Sequence, residues 1–308
     1  MLEKILESCY YVTNNAKDVF INYDVLDNFI LNIDCNNLKN WLSYNPFNIL
    51  DLGIEKIVNF LLLFEAIDYS FWGSPKWSVK AQNMVIDGSE ALLYKLLEYV
   101  RKSNNYDFSK VTFKEFSDIL SGNIEIPLLE DRYNTLVNIS NVVNDKMNGN
   151  FYEYIKEYTN DTDLFNLIID NFSSFIDERE YNGKKIYFYK LAQLLTSDVL
   201  HMRMLLENVQ IDVSNLVGCA DYKIPQTMRA IGILEYSNDL CKTIDSKLEI
   251  ELSSSYEVEI RASMLVVIDY ISKKINIDRI DINDFFFIFK KAVKDIAKPY
   301  HLCRNVNY

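Results

Sequence analysis

GCADYKIPQTMRAIGILEY, residues 218–236, sets an aspartate in a tight turn, then a proline, then an apolar-periodic run. Pro225 suits the first turn of a helix, where a missing N–H costs nothing. Met228, Ile231, Leu234 and Tyr236 follow at roughly helical spacing, so the helix is expected to reach about Leu240. Asp221 then precedes a helix N-terminus, where free N–H groups and the dipole favour an anion. On the residues alone, Asp221 reads as a capping or turn aspartate.

Working outward, the rest of the chain has the same helical character. Leu2, Ile5, Leu6, Cys9 and Tyr10 share one face of a helix over residues 2–16. Short helices are expected at 24–31 and 36–42, a turn at Asn45–Asn48, and a strongly apolar helix at 53–69. Residues 77–81 and 84–86 alternate around Gln82-Asn83, which suggests a small hairpin, followed by a helix at 90–102. Thr112 and Glu115 form a capping box for a helix through Leu120. Further helices are expected from Pro127 to about Met147, at 151–158 and at 163–172. Asn182-Gly183, between Glu180-Tyr181 and Ile186-Tyr187-Phe188, is the strongest hairpin signal in the chain. Helices over 188–209, 257–275 and 281–296 complete the pattern, and Pro299 stops the last.

Scarce breakers support this picture: 308 residues contain only 8 glycines and 5 prolines, against 21 tyrosines and 18 phenylalanines. With 49% hydrophobic residues the chain can bury a large core. The expected architecture is mainly α: a single helical domain over residues 1–308 with one or two small β-hairpins. A net charge of −12 provides no overall field to hold a polyanion, so direct binding of long nucleic acid is disfavoured. A local basic pocket for one phosphate remains compatible with it. Cys9, Cys35, Cys219, Cys241 and Cys303 contain no CxxC, and their odd number argues for a reducing, cytoplasmic setting. With only His201 and His301, no metal site is expected. The N-terminus does not read as a signal peptide, and NFLLLF and FFFIF are too short to span a bilayer.

CADYKIPQ, with GILEYSNDL close behind, resembles the signature of the queuosine salvage proteins, which are queuosine 5'-phosphate N-glycosylases. Other segments resemble that family in the same order: IDYSFW (67–72), IPLLEDRYNTL (126–136), FYKLAQLLTSD (188–198), EVEIRA (257–262) and HLCRNVNY (301–308). The resemblance covers about residues 40–308. It implies a predominantly helical fold like that of the helical DNA glycosylases. It also implies a monomeric enzyme with no cofactor, acting on a small nucleotide to release queuine for tRNA modification.

Cleaving an N-glycosidic bond builds positive charge on the sugar, and a carboxylate near the anomeric carbon stabilises it. Through the resemblance, Asp221 matches the family's catalytic aspartate. Cys219 falls at an aromatic position that contacts the base. Asp284 matches a base-binding aspartate and Phe285 a tyrosine beside it. Phe289 stands where the family has a second binding aspartate, and Asn45 near a family histidine. Glu90 stands at a family tryptophan. These departures cluster at base-contacting positions while the Asp221 turn is kept, which implies retained hydrolysis with altered base recognition. A precursor-base nucleotide is therefore an alternative substrate, and a helical nucleobase-binding module without catalysis is the rival function.

For the phosphate the candidate cations are Lys190, Lys223, Arg261 and Arg304, with Lys190 first because FYK…AQ is kept so closely. Arg261 lies four residues after Glu257 and equally suits a helix ion pair. Lys223, two residues from Asp221, equally suits orienting that carboxylate. Tyr69, Trp72 and Tyr308 fit either the pocket or the core.

Overall fold

The computed structural model describes residues 1–33, 40–44 and 47–308. The chain opens with α1 (Leu2–Asn15), β1 (Val19–Ile21) and α2 (Tyr23–Ile30). Then come α3 (Ile54–Glu65), β2 (Ser78–Ala81), β3 (Met84–Asp87), α4 (Gly88–Ser103) and α5 (Phe113–Ile119). The middle holds α6 (Leu129–Met147), α7 (Phe151–Ile155), α8 (Asp161–Asn171), β4 (Glu178–Tyr181), β5 (Lys184–Tyr187) and α9 (Lys190–Glu207). The last part is α10 (Lys223–Ala230), β6 (Leu234–Tyr236), α11 (Asn238–Asp245), α12 (Ser255–Ile275) and α13 (Arg279–Phe289). The mainly helical expectation therefore holds, and both expected hairpins are present as β2–β3 and β4–β5. The second turns on Asn182 and Gly183 with φ of 50° and 73°, the left-handed pair that a tight hairpin needs. The helix expected at 36–42, the turn at 45–48 and the candidate Asn45 lie wholly or partly outside the described residues. Trp41–Tyr44 form a 3-10 turn.

One expected helix is corrected. The run after Asp221 does not continue to Leu240 but ends at Ala230. Gly232 takes φ +79°, and the N–H of Ile233 closes back on the Met228 carbonyl at 2.9 Å. Leu234 to Tyr236 then pairs antiparallel with Val19–Ile21. Leu234 is buried and Glu235 exposed, so the local pattern is the two-residue period of a strand. Ser237 follows as the N-cap of α11. The last helix is also shorter than expected, stopping at Phe289 before a series of turns.

α12 is the central element, packed on α1, α10 and α13. Its ends are set by Ser254, whose side chain accepts from the Glu257 N–H, and by left-handed Asn276. It is buried nearly all round, so its polar residues need partners inside the protein. Glu257, Glu259 and Arg261 are all fully buried. Glu259 accepts the N–H groups of Lys17, Asp18 and Val19 and the Tyr181 hydroxyl, which ties the N-terminal strand to the core. Arg261 donates to Glu257 at 2.9 Å, to Asp177 at 3.1 Å and to the carbonyl of Ala220 at 2.9 Å. Its guanidinium lies between the rings of Phe188 and Tyr308, about 4 Å from each centroid. Burial alone would lower its pKa, but Asp177 and Glu257 outweigh that and hold it above the ordinary range.

A second buried arginine performs the same service elsewhere. Arg132 of α6 donates to the carbonyls of Pro127, Ile67 and Tyr69 and stacks over the Tyr69 and Phe71 rings. Burial pulls its pKa down to about 10, which still leaves it charged at neutral pH. Each arginine thus fixes the backbone of one loop. Replacing Arg261 with leucine leaves Asp177 and Glu257 buried with Arg179 as their remaining cation. The expected loss is about 3 kcal/mol or more, read as a lower urea midpoint at unchanged m-value. Arg261→Lys should lose less, because it keeps the charge but not the fork.

Candidate active site

Residues 217–221 are held by three side chains from three helices. The Gln193 side-chain oxygen accepts the N–H groups of Val217 and Gly218 at 2.7 and 3.1 Å, and its amide donates to the Gly218 carbonyl at 2.9 Å. The Asn283 oxygen accepts the Cys219 N–H at 2.8 Å, and Arg261 takes the Ala220 carbonyl. Gly218 has φ +134°, and a Cβ there would meet Ile268 at 3.2 Å and Leu265 at 3.3 Å, so backbone shape and packing both require glycine. The Asp221 N–H then turns back on the Cys219 carbonyl at 2.8 Å.

Asp221 Oδ1 accepts the N–H groups of Lys223 and Ile224, both at 2.9 Å, at the start of α10. The capping role is therefore real, but it occupies one oxygen. Oδ2 has no hydrogen-bond partner among the described residues, and Asp221 lines a cavity of about 420 Å³. Burial raises its pKa, while the Ile224 N–H, Lys190 and Lys290 pull it back down.

The cavity collects most of the sequence candidates. Cys219, Asp221, Lys190, Lys223, Asp284, Glu90, Tyr69 and Tyr308 all line it. Asp284 is 3% exposed; its carboxyl accepts the Trp41 backbone N–H at 3.0 Å and the Asn283 amide at 3.2 Å. Burial raises its pKa well above the usual carboxylate range. Burial also pushes up the Cys219 thiol, which keeps it unreactive.

Lys190 is buried and already engaged. Its ammonium donates to the Asp68 carbonyl at 2.9 Å and to Asp68 Oδ2 at 3.1 Å, which leaves one proton for a ligand. Burial would lower its pKa, but Asp68 and Glu65 outweigh it and keep the cation charged. Lys223 lies 3.9 Å from the Tyr300 ring centroid, and burial with nearby Lys76 and Lys290 brings it down to about 8. Lys290 sits 3.3 Å from the Phe287 ring centroid, and its pKa is lowered mainly by burial.

Other candidates lie elsewhere. Phe285 and Phe289 do not line the cavity. Their rings stack at 5.3 Å on the opposite side of α13, against Phe29. Arg261 is behind the Asp221 turn rather than in the cavity, and its charge is used by Asp177 and Glu257. Arg304 pairs with Glu249 at 3.2 Å and covers the Trp72 ring, so neither of those two lines the cavity. Sequence reasoning overlooked Trp41, Asp68 and Lys290, all of which line it. Periodicity could have found part of this, since Asp284, Phe287, Ile288 and Lys291 follow at i, i+3, i+4 and i+7 and share the cavity face. Among the described residues no three His, Cys, Asp or Glu side chains converge as metal ligands. No described helix is long and apolar enough to cross a membrane.

The queuosine salvage protein profile matches residues 50–308. The chain belongs to the queuosine salvage protein family. Three relatives are named queuosine 5'-phosphate N-glycosylase/hydrolase. That from Sphaerobacter thermophilus is 28% identical over 270 residues, 83% of each chain. The Mus musculus protein is 25% identical over 287 residues, 87% of this chain and 84% of the relative. The Dictyostelium discoideum protein is 24% identical over 327 residues, covering 100% of this chain and 99% of its own.

The family segments now have physical reasons. FYK…AQ supplies Lys190 and Gln193, EVEIR supplies Arg261, and IPLLEDR supplies Arg132. Gln193→Leu removes every side-chain hydrogen bond that Gln193 makes to Val217, Gly218 and Phe188. It should destabilise the fold by about 2 kcal/mol or more. It should also lower activity further than the unfolded fraction explains, checked by denaturation beside turnover per folded molecule.

Proposed function

We propose that this protein hydrolyses the N-glycosidic bond of queuosine 5'-phosphate or a closely related 7-deazaguanine nucleotide, releasing the base. The observation that carries the proposal is Asp221, with one oxygen locked on two backbone N–H groups and the other without a hydrogen-bond partner among the described residues, in a cavity lined by acids and cations. The 5'-phosphate lies toward Lys223 and Lys290, with the spare proton of Lys190 as a further contact. The ribose sits over Asp221 and the base toward Cys219 and Asp284.

In this arrangement the C1'–N bond breaks with its electron pair going to the base. Asp221 Oδ2 faces the positive charge that develops at C1', in a site whose groups are already oriented. Water supplies the hydroxyl that ends on C1', and the proton it gives up ends on the departing base. The departing 7-deazaguanine lacks N7 as a proton acceptor, so its charge must be met at other atoms. Asp284, whose pKa burial raises, lines the base end of the cavity, where its carboxyl meets the polar edge of that base.

Asp221→Ala should abolish base release while costing only about 1 kcal/mol of stability from the lost cap. Mass spectrometry of free base from queuosine 5'-phosphate, with wild type alongside, checks this; near-wild-type turnover would sink the mechanism. A second expectation concerns pH. Lys223 is a cation below about 8 and loses its charge above it. The kcat/KM for the 5'-phosphate should therefore fall as pH rises through about 8, while that for the nucleoside does not. Lys223→Met should remove this alkaline limb; a limb that survives would assign the phosphate to other groups.

A further inference from the structure

Trp41 is held more firmly than its position on a 3-10 turn requires. Its indole N–H donates to Asp198 at 2.9 Å, and its backbone N–H donates to Asp284 at 3.0 Å. Asp198 is fully buried in α9 and accepts a further bond from the Asn40 amide at 3.0 Å. The indole also meets the Phe287 ring edge-on, with centroids 5.9 Å apart, and lies 6.3 Å from Phe64. Two buried carboxyls and two aromatic rings thus fix a half-buried indole in the cavity wall.

The surroundings restrict what that indole can meet. Cys219, on the wall nearest Asp284 through the shared Asn283, offers no flat surface. The cations Lys223 and Lys290 suit an anionic ligand group rather than a planar ring. The backbone N–H of Trp41 bonds Asp284, the buried acid suited to a polar ring edge, and Trp41 and Asp284 line the same cavity. A planar heteroaromatic ring that bonds Asp284 at its edge therefore has the indole available for its face. Base–aromatic stacking is a strong and sequence-tolerant contact.

We propose that Trp41, anchored by Asp198 and Asp284, is a specificity-determining residue on which the substrate's 7-deazapurine base stacks. This rests on the nucleotide-hydrolase proposal above. Asp198 is a positioning residue that acts through the indole.

The test combines kinetics with a binding signal that needs no turnover. The chain has three tryptophans, and Trp72 and Trp77 are buried away from this cavity, so base stacking reads through Trp41. Titrating wild type with 7-deazaguanine should quench tryptophan fluorescence, and the quench should disappear in Trp41→Phe. Trp41→Ala should raise KM for queuosine 5'-phosphate about tenfold or more, with a smaller rise for Trp41→Phe. Asp198→Asn keeps an acceptor and should stay near wild type, whereas Asp198→Leu should resemble Trp41→Ala. If Trp41→Ala does not fold, Trp41→Phe and Asp198→Leu carry the test. An unchanged KM together with a quench that persists in Trp41→Phe would overturn the platform. If wild type released no base yet showed a Trp41-dependent quench, the hydrolase proposal would fall and the platform would stand. Turnover that is indifferent to Trp41 would remove the platform alone.

Discussion

A guanidinium with no access to water organises this protein. Arg261 reaches from the central helix to Asp177, Glu257 and the carbonyl of Ala220, one residue before Asp221. An unpaired charge in such a place would be prohibitive, so its partners are fixed as strictly as it is. The backbone carbonyl of Asp177 accepts the N–H groups of Phe188 and Tyr189, immediately ahead of Lys190. Tyr308 closes over the other face of the guanidinium, and its carbonyl accepts the Ser70 N–H in the loop that Arg132 clamps. Segments far apart in sequence therefore meet at one ion, and the geometry around Asp221 follows from it.

This explains the division of labour among the recognisable segments. Gln193, Arg132, Arg261 and Gly218 shape backbone rather than touch a ligand. Asp221, Lys190 and Asp284 face the cavity that they shape. The cavity itself is uneven in charge. Glu65, Asp68, Asp198 and Asp284 cluster on one side, where burial raises the pKa of Glu65 and Asp284 and Lys190 bonds Asp68. Lys76, Lys223 and Lys290 line the same cavity. A protein of net charge −12 thus gathers several of its lysines in one cavity.

The helical class was legible in the spacing of apolar residues, and the Asn182-Gly183 turn in local chemistry alone. The break at Gly232 was not, because Leu234 and Tyr236 satisfy a helical and a strand period at once, and only the pairing with Val19–Ile21, some two hundred residues away, decides between them. Phe285 and Phe289 do not line the cavity, since matching by position ignores which face of α13 a residue occupies. Arg261 was half legible: its i, i+4 partner Glu257 could be read from the sequence, but the Ala220 carbonyl and Asp177 could not. Trp41 and Lys290 carry no sequence signal of their own, since each reaches the cavity through tertiary packing.

Lys223 carries one more consequence. An amine with a pKa of about 8 is in its free-base form for about a tenth of the time at neutral pH, against less than about a thousandth for an ordinary lysine. The free base is a nucleophile. Two features then act on its reactivity in opposite directions: the lowered pKa frees the amine, and its place in the cavity wall against Tyr300 restricts what can reach it.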